Sequence, residues 1–290
     1  MDSIVFFLIM AISVPPITSK LQFVDLTYNL DNVTTPYFGL FVDHFKFLKK
    51  VEFKQPEDFY ISWNVFSTNE HMGTHIDAPV HFVKGSQTVD EIPLQRLVGK
   101  LFILDVEEET LKDRFLYITT QHILDAEKKQ GKIEDGSILL VNTGLSKFVS
   151  NLTKYFGGDP KDISSYQHPG LTKEAAQWLV DNRNIASFGI DTPSLDHAKT
   201  TNFPVHRIFL GQKIPGYENV DLSKIDQFRN KTNVLIIAMP MKIRDGTGAP
   251  TRMVAMYDDS VTSSAQSSFV AMLYTTLVLP IVTMTSLMLQ

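Results

Sequence analysis

Residues 69–82 read NEHMGTHIDAPVHF and hold three of the chain's eight histidines, with Asp77 among them. His71, His75, Asp77 and His81 all fall on odd numbers, and Gly73 and Pro79 share that register. In an extended backbone alternate side chains point to one face, so these four groups would face the same way. A straight strand would spread them over roughly 35 Å. The chain must therefore bend for them to converge, and Gly73-Thr74 is the place where it can, because glycine enters backbone conformations that other residues avoid. Imidazole and carboxylate are donors for zinc or manganese that require no sulfur. His75 and Asp77, two apart, could grip one ion, and a carboxylate can also bridge two. The bland alternative is an exposed polar loop, which fits poorly with three histidines in so short a stretch of a 290-residue chain.

Composition narrows the chemistry. There is no cysteine, which excludes a disulfide scaffold, a cysteine nucleophile, thiolate zinc sites and iron–sulfur clusters. Any metal must bind through His, Asp, Glu or water. The net charge of -5 argues against nucleic acid as a partner, and 11% aromatic with 20% charged residues argues against disorder. The chain lacks the Gly-x-Ser-x-Gly elbow of serine hydrolases, the HExxH zinc motif, the Walker loop and the Rossmann glycine run.

Outward from this segment, short runs rich in β-branched and aromatic residues predict strands at Lys100–Val106, Ser137–Asn142, Ile185–Ile190 and Asn233–Met239. Helical patterns lie between them. Thr119–Gln130 opens on a Thr cap and is followed by Gly131; Thr172–Asn182 offers Thr172 as N-cap, with Ala176, Leu179 and Val180 on one face. Strands alternating with helices predict an α/β fold with a mixed β-sheet, and residues 20–90 read as strand and loop.

The two ends differ from the middle. Residues 1–19 (MDSIVFFLIMAISVPPITS) carry one charge, Asp2, and an apolar run too short to span a bilayer. This reads as a secretory signal peptide, with a buried strand as the rival. At the other end SVTSSAQSS (260–268) is small and polar, and FVAMLYTTLVLPIVTMTSLML (269–289) is apolar and uncharged. That order is the pattern of a glycosylphosphatidylinositol signal; a single-pass or a buried helix are the rivals. Sequons at Asn32, Asn151 and Asn230 agree with secretion. The expected division is a leader (1–19), a catalytic domain (20–259) and an anchor signal (260–290), placing the protein in the secretory pathway and at the cell surface.

The run from His71 to Phe82 resembles the HxGTHxDxPxHF signature of the cyclase family, which includes bacterial-type kynurenine formamidases and isatin hydrolases. Every fixed position matches. Later blocks resemble the family as well: His168-Pro-Gly-Leu, residues 189–196 (GIDTPSLD), Pro204-Val-His206-Arg207, Glu218-Asn219-Val-Asp-Leu222 and Gly248-Ala-Pro250-Thr-Arg252. The resemblance covers roughly residues 22–257. It implies a swivelling β/β/α fold, assembled as a homodimer or larger oligomer. It also implies metal ligands at His71, His75, Asp77, His206 and Glu218, and a general acid/base at His81. The ion would be zinc, in one or two copies with Asp77 bridging, or manganese as in the isatin hydrolases.

The chemistry expected is hydrolysis of a small aromatic amide. A bound divalent ion brings the pKa of water to about 7, and a histidine can take its proton and return it to the leaving nitrogen. The nearest activity is arylformamidase, which releases formate from N-formyl-kynurenine. Isatin-type ring opening is the enzymatic rival, and an anchored metal-containing binding protein without turnover is a third reading. Lesser candidates are Asp191 and Asp196, as partners of the histidines or as turn caps, and His168, as a loop stop rather than a ligand. Trp63 and Phe66 read as core more readily than as walls of a pocket. His44 and His122 are expected to face solvent or core, and His197 is left open.

Overall fold

The structure, a computed structural model, describes residues 20–37, 44–54 and 59–260. The leader expected over 1–19 and, Ser260 apart, the anchor signal expected over 260–290 lie outside the described residues. Among the described residues no helix is long and apolar enough to cross a membrane. The chain divides into two compact units. In the smaller one the Lys20 N–H donates to Asp258 Oδ1 at 3.2 Å, and the Asp259 N–H donates to Lys20 O at 3.2 Å. The larger unit, Phe23–Tyr257, carries the fold.

The strands are β1 (Leu21–Asp25), β2 (Lys46–Lys54), β3 (Tyr60–Ser67), β4 (His75–Asp77), β5 (Val98–Asp105) and β6 (Tyr117–Ile118). They continue as β7 (Ile138–Asn142), β8 (Gly170–Leu171), β9 (Ser187–Ile190), β10 (Gly216–Glu218), β11 (Leu235–Pro240) and β12 (Gly248–Asp258). The helices are α1 (Glu107–Lys112), α2 (Thr120–Gln130), α3 (Leu152–Phe156), α4 (Lys173–Asn182) and α5 (Pro204–Gly211). The main sheet runs β1-β12-β11-β5-β7-β9-β10-β4, and β12 also pairs with β4, so the sheet closes on itself like a barrel. Strands β5, β7, β9 and β10 run parallel to one another, in that order. Strands β11, β12 and β4 are antiparallel to theirs. The mixed α/β sheet expected from the sequence is the one observed.

Period-two alternation explains how one sheet feeds two cores. Ile103, Ile138 and Leu140 point to one side, where they meet Ile76, Tyr217, Ile236 and Met253 from the strands that close the ring. Phe102, Leu104, Leu139 and Val141 point to the other, against Ile123 of α2, Leu179 of α4 and Phe209 of α5. β7 is buried along its whole length, which is why its run ILLVN is apolar without interruption. Each fully buried Leu or Ile contributes about 1.5–3 kcal/mol.

The helix ends fall where their caps put them. The Ala175 N–H donates to Thr172 Oγ1 at 3.1 Å at the start of α4. Gly131, with φ +92°, closes α2. The two helices are tied by Arg183, whose Nε and Nη2 donate to the two carboxylate oxygens of Glu127 at 2.6 and 2.5 Å. Strands β2 and β3 form a separate hairpin in which Val51 pairs with Trp63 and Phe53 with Ile61. The expectation of a core role for Trp63 and Phe66 fails here: they are 49% and 43% exposed and belong to none of the buried clusters.

Candidate metal centre

The bend predicted at Gly73 is present, with φ at +64°. A Cβ there would lie 2.9 Å from Thr35 Cγ2 and 3.2 Å from Leu30 Cδ2, so both the conformation and the space require glycine. Only His75–Asp77 of the odd-numbered series forms strand. β4 lies between β10 and β12. On one side His75 pairs with Glu218 and Asp77 with Gly216; on the other His75 pairs with Pro250 and Asp77 with Gly248. Directly paired residues project to one face, so register alone puts the Glu218 carboxylate beside His75. Pro79 then starts a 3-10 turn through His81 that brings the His81 ring to 4.2 Å from the His71 ring. Gly248 lets His71 lie against β12: a Cβ there would come 2.6 Å from His71 Cε1.

The structure brings together all six residues expected at the site. Donor atoms of His71, Asp77 and His81 lie within 4.8 Å of one another, and so do those of His75, Asp77 and Glu218. Asp77 belongs to both groups. Its Oδ1 is 2.7 Å from His71 Nδ1 and 3.3 Å from His75 Nε2. His206 enters from α5, its Nε2 3.2 Å from Asp77 Oδ2 and 2.9 Å from Glu218 Oε1. His75 Nε2 and Asp77 Oδ2 are buried and have no hydrogen-bond partner. Buried polar atoms are seldom left so. A cation among these donors would satisfy both, so the residues present fit a divalent metal.

The electrostatics point the same way. Burial works against charge on His75, but the nearby carboxylates of Asp77 and Glu218, 3.3 and 3.4 Å from its Nε2, outweigh it and raise its pKa to about 10. His206 is likewise raised against burial, by Asp196, Asp77 and Glu218. Burial pushes the Asp77 carboxyl up, and His206, His71 and His75 bring it well below its ordinary range. Glu218 is lowered by His206 and His75 despite burial and the neighbouring Asp77. The centre thus demands positive charge, and a divalent ion would take over the role that protons on His75 and His206 fill. His81 lies at the exposed rim; desolvation of its ring, helped by His71 and His206 and opposed by Asp77 and Glu218, depresses its pKa.

An outer set of residues holds these donors. Asp196 Oδ2 is 2.6 Å from His206 Nδ1, and the same carboxylate accepts the Val205 and His206 N–H groups at the start of α5, at 2.9 and 3.2 Å. Asp196 is therefore a partner of a histidine, one of the two alternatives expected for it, and it caps a helix rather than a turn. Asp191 does not touch the histidines. It accepts from the Thr143 N–H and hydroxyl at 2.9 and 2.6 Å and caps the turn after β7, with burial raising its pKa to about 6. His168 is buried, its Nδ1 3.0 Å from Pro169 O, and is not one of the grouped donors. His122 caps α2, and His197 stacks on Tyr117. Residue-level reading missed the chain from His71 Nε2 to Thr247 Oγ1 (3.0 Å) to Glu70 Oε2 (2.6 Å). Glu70 sits next to His71 in the sequence, but nothing local signals its partner 177 residues away. The rings of Phe82 and Phe203 lie 4.8 and 5.8 Å from the His206 ring.

Residues 24–197 match the model of the Cyclase family, described as "Putative cyclase". The isatin hydrolase of Roseibium aggregatum is 26% identical over 253 residues, covering 83% of this chain and 93% of that protein. The kynurenine formamidase of Salinibacter ruber is 28% identical over 184 residues, covering 63% of this chain and 74% of that one. The solved structure of isatin hydrolase A from Labrenzia aggregata, bound to benzyl benzoate, superposes with a TM-score of 0.73 at 28% identity. It spans 82% of this chain and 94% of its own.

Proposed function

This chain belongs to the cyclase family, and on that premise we propose that it is a metal-dependent amidohydrolase acting on a small aromatic amide. The observation that carries the reading is Asp77, shared by two groups of donors and left with a buried oxygen that accepts no hydrogen bond. His71, His75, Asp77, His206 and Glu218 would hold the metal, zinc in one or two copies or else manganese. When bound, such an ion supplies Lewis acidity that acidifies water and polarises a carbonyl.

The chain's own residues do the rest. His81, at the exposed rim and next to His71, can accept a proton at a ring nitrogen and pass it to the leaving nitrogen. Asp196 fixes His206 with Nδ1 toward itself and Nε2 toward Asp77 and Glu218. Phe82 and Phe203 offer apolar faces to a planar substrate and shield the buried donors from water.

N-formyl-kynurenine is the substrate we favour. Ring opening of an isatin-like cyclic amide is the second reading, supported by the near full-length relation to the Roseibium aggregatum protein. The full-length protein, loaded with zinc or manganese, should hydrolyse one of the two compounds, followed by absorbance as product forms. Stoichiometric metal with turnover of neither would favour a binding protein instead. We further propose that the enzyme works in the secretory pathway, held at a membrane by its apolar C-terminal stretch. Assembly as a homo-oligomer is supported by the exposed apolar side chains of the β2–β3 hairpin. Size-exclusion chromatography with light scattering tests that assembly.

A further inference from the structure

Asn219 follows Glu218 directly, is fully buried, and has φ at +52°. Asparagine is one of the few side chains that visit this left-handed region readily. Each of its polar groups is used. Its N–H donates to Thr192 O at 2.9 Å and its carbonyl accepts the Thr74 hydroxyl at 2.6 Å. In the side chain, Nδ2 donates to Gly73 O at 3.0 Å, and Oδ1 accepts the Tyr155 hydroxyl at 2.8 Å. Gly73 O is also the partner of His75 Nδ1, at 2.9 Å.

These contacts decide which nitrogen of His75 faces the carboxylates. A carbonyl oxygen only accepts, and it has two lone pairs. Gly73 O can therefore take both the Asn219 amide and the His75 Nδ1–H. Once a cation replaces the Nε2 proton, His75 keeps its proton on Nδ1 and would offer the Nε2 lone pair on the side of Asp77 and Glu218. The Asn219 amide cannot turn over, because Oδ1 would then confront Gly73 O. Tyr155 holds it from behind, its hydroxyl also 3.1 Å from Asp191 O, and burial keeps that hydroxyl protonated and so a donor. The backbone of Asn219 meanwhile ties β10 to the Gly73-Thr74 bend that leads into β4. We propose that Asn219, backed by Tyr155, is a positioning residue of the metal centre. It fixes the carbonyl that selects the tautomer of His75 and links that choice to the adjacent Glu218. No reaction step runs through it, and the inference rests on the metal-dependent reading above.

Asn219→Gly keeps the left-handed backbone and deletes the amide. Asn219→Asp keeps the shape and sets an oxygen against Gly73 O. Tyr155→Phe removes one hydroxyl and retains the packing. In the full-length protein, zinc affinity is read by competition with a chromophoric chelator, cobalt(II) by its visible spectrum, and folding by melting of the metal-free protein. The expected result is zinc affinity about tenfold or more weaker in both Asn219 variants, a smaller loss in Tyr155→Phe, and shifted cobalt bands. The metal-free proteins should still melt cooperatively. Unchanged zinc affinity and cobalt bands, with only a lower melting temperature, would reduce Asn219 to scaffold and overturn the proposal. If neither Asn219 variant folds, Tyr155→Phe decides by the same two metal readouts. Failure of the unaltered protein to take up zinc or cobalt would sink the metal-dependent reading itself, a different outcome from metal bound equally well by all variants.

Discussion

Asp196 Oδ2 stands 2.6 Å from His206 Nδ1, and the same carboxylate closes the N-terminus of the helix that carries His206. One side chain therefore sets both where the imidazole sits and which of its nitrogens faces Asp77 and Glu218. The two effects can be separated, because a cap acts on the helix whether or not metal is present, whereas the imidazole contact acts on the centre.

Asp196→Asn retains an acceptor for the helix N–H groups but replaces the anion opposite His206. Metal affinity should fall about 10- to 100-fold, while the metal-free protein loses little. Asp196→Ala removes the cap as well and should cost a further ~1 kcal/mol. Chelator competition and denaturant unfolding of both variants distinguish these losses. Equal metal affinity across the series would contradict the role given to Asp196.

His81→Ala should keep its metal and lose activity by about 10²–10⁴-fold, the range for loss of a general acid/base. The ring lies at the exposed rim, beside His71 rather than among the most deeply buried donors. Metal analysis alongside the amide assay checks this. Loss of metal together with activity would make His81 a ligand.

The legible parts of this fold and site are those in which the needed groups are close in sequence. His71, His75, Asp77 and His81 announce themselves within one short run, and Gly73 marks their bend. Apolar runs disclosed β5, β7, β9 and β11 to within two residues; β7 and β9 are parallel strands buried on both faces, whereas β11 shows through its β-branched residues. Strand β10 is too short to show a period, and β12 opens with Gly-Ala-Pro, so neither is visible from pattern. His206 and Glu218 were reached only through the family resemblance, because strand register and the docking of α5 bring them to β4. Thr247, Asn219 and Tyr155 were missed for the same reason: each meets the site through contacts distant in sequence.

Gly73→Ala and Gly85→Ala form a matched pair. Both glycines have positive φ, +64° and +76°, so each substitution carries the left-handed penalty of roughly 1–2 kcal/mol. At Gly85 an added Cβ meets nothing within 4 Å, and at Gly73 it strikes Thr35 Cγ2 at 2.9 Å. Gly73→Ala should therefore be the more destabilising, by about 1–3 kcal/mol, and should weaken metal binding by displacing β4. Gly85→Ala should leave metal binding intact. Urea unfolding and metal titration of the pair check both statements; equal losses would mean that the bend has room to relax.

The Glu127–Arg183 pair gives the fold a pH signature remote from the metal centre. Arg183 forks both oxygens of Glu127, whose side chain is 10% exposed, and also lies over the Trp178 ring at 4.4 Å. The Arg183 hydrogen bonds hold the Glu127 carboxyl below its ordinary 4.5, against the effect of burial. In the window below that ordinary value the unfolded chain binds more protons here than the folded one, so stability rises with pH. The contribution is complete above about pH 5 and fades as pH falls through the lowered folded value. Glu127→Gln should cost about 1–3 kcal/mol at neutral pH, and the gap from the unaltered protein should narrow on acidification toward pH 3. Denaturant unfolding of both proteins between pH 3 and pH 7 measures it. A gap that stayed constant across this range would show that the glutamate acts through packing and neutral hydrogen bonds rather than through its charge.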